Sequence, residues 1–259
     1  MLARRLGKPT GDRWISVGRL PELRGVDLDT STGDLAIGAA TTLVDLASSP
    51  LARIHAPLLT AAAGAAASAG IRSIATIGGN LLDTPSASDP AAAAVALGAS
   101  FVVRSAVGER LVPVRALPVS TLAVEANELV VSLRVPSGAG AGWSLQRLQT
   151  QGRGDRPALT VAVHVATGGG GPAGIRAAAT FLADRLVDLG DLGGAVPADG
   201  RGPSTAALIA DAALAATDRA LQAGAVLLDD TRASAGYRRA VVGVLAARAV
   251  AEASGRRAA

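Results

Sequence analysis

The chain has 259 residues, is 49% hydrophobic and lacks cysteine, with 25 basic and 21 acidic residues for a formal net charge of +4. That length and apolar fraction suit one large domain or two modest ones and exclude disorder; the missing thiols exclude disulfides, zinc–thiolate sites, cysteine-ligated iron–sulfur clusters and thiol nucleophiles, and fit a reducing cytoplasm. The sequence pI near 10.8 comes almost entirely from scattered arginines, and Trp14, Phe101, Trp143, Phe181 and Tyr237 are too dispersed to stack on bases, so nucleic-acid binding is not expected.

In chain order, Met1 leads into Arg4, Arg5 and Lys8 with no apolar core behind them, so no secretory signal is expected. Residues 14–17 read as a strand, Pro21 and Glu22 as a turn, and 35–39 as a second strand, after which Thr41 or Thr42 caps a helix. A helix over 56–68 is closed by Gly70 at the left-handed C-cap position. Next comes IATIGGNLLDTPSASDP, residues 74–90, which sets two glycines, an asparagine and small polar residues between helical segments. Asp89 and Pro90 open the following helix, which ends near Gly98.

SFVVRSAVGERLVPV is a hairpin turning at Gly108 and Glu109, and NELVVSLRVP a strand stopped by Pro136. SGAGAG, residues 137–142, offers no side chains to pack and reads as a linker. Beyond it, two strands are joined by a slack loop through the glycines of 168–171, and residues 203–222 and 234–253 show helical periodicity with Ser204 and Ser234 as caps. The apolar runs stop well short of the ~20 residues a membrane span needs. Helices, then hairpins, then strands, then helices describe an α+β protein in two parts rather than a doubly wound parallel sheet.

Catalytic sets are scarce. His55 and His164 lie far apart in sequence and read as structural, and Asp229 with Asp230 reads as favourable charge ahead of a helix. No serine sits in a nucleophile elbow and no Gly-Lys-Ser/Thr phosphate loop occurs, so a reaction here needs a cofactor to carry the chemistry. Residues 74–90 are the place for one. Gly78 and Gly79 let backbone N–H groups approach a pyrophosphate, Asn80 fixes the loop, and Thr84, Ser86, Ser88 and Asp89 present polar groups spaced for a ribityl chain. The plainer alternative is a polar loop with Asp89 as a helix cap.

Ile71, Arg72, Ala75, Thr76, Ile77, Gly78, Gly79 and Asn80, with Asp89 at the end of a short polar loop, resemble the second flavin-binding loop of the FAD-binding subunits of molybdenum hydroxylases. That is the family of aerobic carbon monoxide dehydrogenase and xanthine dehydrogenase. ISVGRLPELRGV, LAIGAATTLVDLASSP, GERLVPV, ELVVSLRVP and DDTRASAGYRRAVVGVLAARA extend the likeness along the chain. The resemblance implies an α+β chain: an FAD-binding fold of the PCMH type over 1–137, with its first α/β subdomain incomplete. A small α+β domain of a three-stranded antiparallel sheet with helices follows over 143–259.

It also implies that Thr76, Ile77, Gly78, Gly79 and Asn80 wrap the FAD pyrophosphate, that Ser88 and Asp89 contact the ribityl or phosphate region, and that Leu129 and Val130 meet the adenine end. No residue is assigned as catalytic or as a metal ligand. The implied role is electron relay in the cytoplasm, from [2Fe-2S] clusters of a small subunit, supplied by a molybdopterin-binding large subunit, through FAD to a terminal acceptor. A first pyrophosphate loop of the Ala-Gly-Gly-Thr-Asp-Leu type is expected upstream of Met1. Without it the cradle would lose charge-assisted hydrogen bonds worth ~1.5–3 kcal/mol each, which leaves a flavin-less scaffold of the same fold as the alternative.

Overall fold

The computed structural model describes residues 15–116, 124–125, 127–138, 140–150, 156–166, 174–195 and 203–257. Two antiparallel sheets and eight α-helices organise these residues. The first sheet has the order β1-β2-β5-β3-β4, from β1 (Val26–Leu28), β2 (Leu35–Gly38), β3 (Ser100–Ser105), β4 (Gly108–Pro113) and β5 (Leu129–Val135). The second is a meander of β6 (Gly142–Leu148), β7 (Leu159–Val165), β8 (Ile175–Thr180) and β9 (Val187–Asp191). It therefore has four strands where three were expected; β9 joins because Ala179↔Val187 and Arg176↔Asp191 bracket a bulge that keeps it in register with β8.

Six short helices lie between β2 and β3 of the first sheet in sequence: α1 (Leu43–Ser48), α2 (Pro50–His55), α3 (Pro57–Ala65), α4 (Ala69–Arg72), α5 (Ile77–Asp83) and α6 (Asp89–Ala96). Local chemistry sets their ends. The hydroxyls of Thr42, Ser49, Ser68, Thr76 and Ser88 each accept a backbone N–H in the first turn of α1, α2, α4, α5 and α6, and proline stands at the start of α2, α3 and α6. Ser88, not Asp89, is thus the cap of α6. Two long helices close the chain, α7 (Pro203–Gln222) and α8 (Ala235–Arg257), the latter capped by Ser234 as expected.

Several boundaries differ from expectation for identifiable reasons. Residues 15–17 form no strand, because the Leu20 N–H donates to Val17 O and closes a turn; Trp14 lies outside the described residues, as do Gly168 to Gly171. The helix expected over 56–68 ends at Ala65. Ala67 takes the left-handed conformation (φ 47°) and Arg72 Nη1 donates to Ala66 O and Ala67 O, so an arginine rather than Gly70 secures the break. The hairpin turns at Ala106 and Val107, and Gly108 (φ 151°) already opens β4.

The alternation of β7 explains the layering. Leu159, Val161, Val163 and Val165 point into the core beneath α7 and α8, whereas Ala162 points the other way, into the core shared by α1–α6 and the first sheet. Both faces of the second sheet are covered. Helix α6 sits between α3, β7 and β8 with every residue buried. Only alanine, at Ala91 to Ala94 and Ala96, is small enough to let backbone approach on all sides.

Candidate functional site

The N-terminus of α5 is stitched to the segment that leaves β2. Ile77 N–H donates to Thr41 O (2.9 Å) and Gly78 N–H to Ala39 O (3.0 Å), while Leu43 N–H returns to Ala75 O (2.9 Å). Gly79 N–H goes to the Thr76 hydroxyl and Asn80 N–H to Thr76 O. The expected loop is therefore a helix start, and its N–H groups are already engaged. Gly78 has a packing reason of its own: a Cβ there would lie 2.8 Å from Ala39 O and 3.0 Å from Ala39 Cβ. Gly38 is as confined, with Leu23 O only 2.3 Å from where its Cβ would stand.

These close approaches leave a cleft of about 330 Å³ beside α5. Leu23, Ala39 and Ala40 line it from the β2 side, Thr76, Gly78, Gly79 and Leu82 from α5, and Glu128, Leu129 and Val130 from the start of β5, with Val17, Gly18 and Val124 at its margin. Of the sequence-predicted residues, Thr76, Gly78, Gly79, Leu129 and Val130 meet here although some fifty residues separate the two groups. Ile77 is fully buried in the core below. Asn80 and Ser88 stand behind the cleft, joined by a hydrogen bond from the Ser88 hydroxyl to Asn80 Oδ1.

Asp89 is turned away altogether. It is 3% exposed, accepts from the Thr160 hydroxyl at 2.6 Å and pairs with Arg147 at 3.2 Å, so it ties α6 to the second sheet. Burial pushes its carboxyl up against the lowering pull of Arg147 and Thr160. Glu128 is a cleft residue that sequence reasoning missed. Arg110 grips it with two nitrogens (2.7 and 2.6 Å) and the Glu125 N–H donates to it, which holds its carboxyl at about 2. Nothing in NELVV announces that pairing, because Arg110 is a cross-sheet neighbour from another strand.

The cleft is apolar with few polar points. The Thr76 hydroxyl accepts from Gly79 and, among the described residues, gives its proton to none. Neither histidine lines the cleft, and no group of three potential metal ligands occurs among the described residues. A slot with apolar walls, glycine backbone at one side and a hydroxyl at its floor fits a flat ring system and one polar substituent. Glu128, already neutralised by Arg110, offers a diphosphate no attraction; the described lining complements the ring portions of a dinucleotide.

Residues 1–138 match the family of the FAD binding domain in molybdopterin dehydrogenase, and the chain belongs to that family, whose defining cofactor is FAD. The chain is 33% identical over 255 residues to the carbon monoxide dehydrogenase medium chain of Hydrogenophaga pseudoflava, covering 96% of this chain and 84% of that one. It is also 33% identical over 124 residues to the putative xanthine dehydrogenase FAD-binding subunit XdhB of Escherichia coli K12, over 47% and 42% of the two chains. In structure it matches the Hydrogenophaga pseudoflava carbon monoxide dehydrogenase that lacks the Mo-pyranopterin moiety of its molybdenum cofactor, with a TM-score of 0.80, 32% identity, and coverage of 93% and 81%. The expected α+β, PCMH-type architecture is thus that of the chain.

Proposed function

We propose that the chain binds FAD in the cleft between α5 and β5 and acts as the electron-transfer subunit of a cytoplasmic molybdenum hydroxylase complex. In this reading it receives electrons from [2Fe-2S] clusters of a small subunit, supplied by a molybdopterin-binding large subunit, and delivers them to a terminal acceptor. The observation that carries it is the convergence of Thr76, Gly78 and Gly79 with Leu129 and Val130 on one cleft, in a chain of the family named above. Residues 1–137 are proposed as the FAD-binding domain and 143–259 as the second.

Flavin supplies the redox chemistry, taking electrons singly and passing on a pair. The chain's residues bind and orient it. Leu23, Leu82, Leu129 and Val130 would exclude water from the ring, the Thr76 hydroxyl would donate to a ring or ribityl acceptor, and Gly78, by letting α5 pack against Ala39, sets the position of the cleft wall. Ile77, Asn80, Ser88 and Asp89 support the cleft from behind by holding α5 and α6 in place.

A flavin-less scaffold is the second reading, favoured by one observation: the N–H groups of residues 77–80 are all engaged internally, so this half of a pyrophosphate cradle has no free donors to offer. The two separate on one measurement. Purified chain incubated with FAD and desalted should retain flavin absorbance, with Thr76→Ala and Leu129→Asp lowering retention. A colourless protein that takes up no FAD, alone or with partner subunits, leaves the scaffold.

A further inference from the structure

Strand β8 alternates as β7 does: Ile175, Ala177 and Ala179 enter the core under α7 and α8, while Arg176 points to the face covered by α6. Its guanidinium rests against Gly98, where an added Cβ would lie 2.6 Å from Nη1. Gly98 (φ 72°) is the left-handed residue of a Schellman ending to α6: its N–H donates to Val95 O (3.0 Å) and the Ala99 N–H to Ala94 O (2.8 Å). The carbonyls that an arginine at a helix C-terminus commonly serves are therefore already satisfied by backbone.

Asp191, the cross-strand neighbour of Arg176, turns its carboxylate to the N–H groups of Ile175 and Gly193 instead. Arg115, just beyond β4, faces the same space, and among the described residues neither arginine has a hydrogen-bond or carboxylate partner. With Ser100 and Pro113 they line a pocket of about 140 Å³. Burial and then the charge of Arg176 hold the pKa of His164, the cross-strand partner of Arg176 on β7, below its ordinary value.

We infer that this pocket binds a small inorganic oxyanion of the phosphate or sulfate type, held between the guanidinium groups of Arg115 and Arg176 with the Ser100 hydroxyl as a further donor. Two planar, permanently charged forks match such an ion in geometry and charge. The volume holds four or five water-sized groups of ~30 Å³ each, the room a five-atom oxyanion takes, and is well below the ~300 Å³ at which pockets admit larger ligands. The site is separate from the flavin cleft. Ser100 pairs with Arg134 at the end of β5, whereas Leu129 of the cleft pairs with Arg104, so the two places lie at opposite ends of the first sheet.

The test is calorimetric titration of the full chain with inorganic phosphate replacing chloride at constant ionic strength. Wild type should bind one ion saturably, with sulfate competing. Arg115→Gln and Arg176→Gln should each weaken binding about tenfold or more, as loss of a charge-assisted pair implies, whereas Arg219→Gln, the same charge change on exposed α7, and prior saturation with FAD should leave it unchanged. Arg115 is exposed, so its variant folds and keeps the comparison decisive. No saturable binding, equal affinity in both pocket variants and wild type, or displacement of phosphate by FAD would each overturn the inference.

Discussion

At Gly78 a single hydrogen in place of a methyl lets α5 touch the segment leaving β2. Gly78→Ala forces Cβ against Ala39 O and Cβ and should cost about 1–3 kcal/mol, the usual price of overpacking, with reduced FAD retention because the cleft wall moves. Gly64, exposed near the end of α3, would place its Cβ at an ordinary 3.8 Å from Ala47 Cβ. There Gly64→Ala should stabilise by roughly 0.5–1 kcal/mol through lower backbone entropy. Urea unfolding of the two variants checks the opposite signs. Glycines identical on the page are thus opposite in effect, and only the neighbouring backbone tells them apart.

Glu128 gives a residue-scale pH dependence. Its folded pKa of about 2 lies below the ordinary 4.5, so the Arg110 pair contributes stability above 4.5 that is lost as pH falls from there toward 2. Glu128→Gln removes this contribution. The stability gap between wild type and variant should therefore be full at neutral pH and close progressively between pH 4.5 and 2, which thermal melts across that window would show; a gap that widens on acidification would contradict the assignment.

Among the elements, the entry to α8 depends on one side chain. Arg238 is fully buried; Nε donates to Ala158 O (2.8 Å), Nη1 to Leu228 O (2.6 Å) and Ala233 O, and Nη2 to Asp230 Oδ1 (2.7 Å). The guanidinium thereby gathers the residues before β7, the turn at 228–233 and the first turn of α8. Arg238→Ala strands three carbonyls and an aspartate and should cost about 3–5 kcal/mol. Arg238→Lys should recover little, since an ammonium cannot span those positions in one plane. Chemical denaturation of both variants is the check. Asp229 and Asp230 were legible as charge ahead of a helix, and Asp229 does accept the Ala235 N–H at the start of α8; that Asp230 answers an arginine a full helical turn inside was not.

Across the whole molecule, α6 and Asp89 join the two halves. The carboxylate at the start of α6 reaches Arg147 on β6 and Thr160 on β7, and α6 itself packs on β7 and β8. Asp89→Ala leaves Arg147, mostly covered, without its counter-charge and should cost about 3–5 kcal/mol. Because the pair joins α6, which packs in the core of the first sheet, to the second sheet, unfolding followed by Trp143 fluorescence on β6 and by far-UV dichroism should separate into two transitions in the variant and coincide in the wild type.

Much of this architecture could be read locally. Capping hydroxyls, prolines at helix starts, alternation along β7 and the Gly-Gly-Asn stretch are short-range signals, and they pointed to the α+β order, to the family and to one wall of the cleft beside α5. What chain-local chemistry could not decide was which groups would be used up by distant partners. The N–H groups of 77–80 are claimed by Ala39, Thr41 and Thr76, Asp89 is claimed by the second sheet, and Arg115 and Arg176 are left facing a common pocket. Hydrogen-bond and charge satisfaction is settled between residues tens of positions apart, so composition and spacing determine what each segment can do, and tertiary contact alone determines which of those capacities remains free for a ligand.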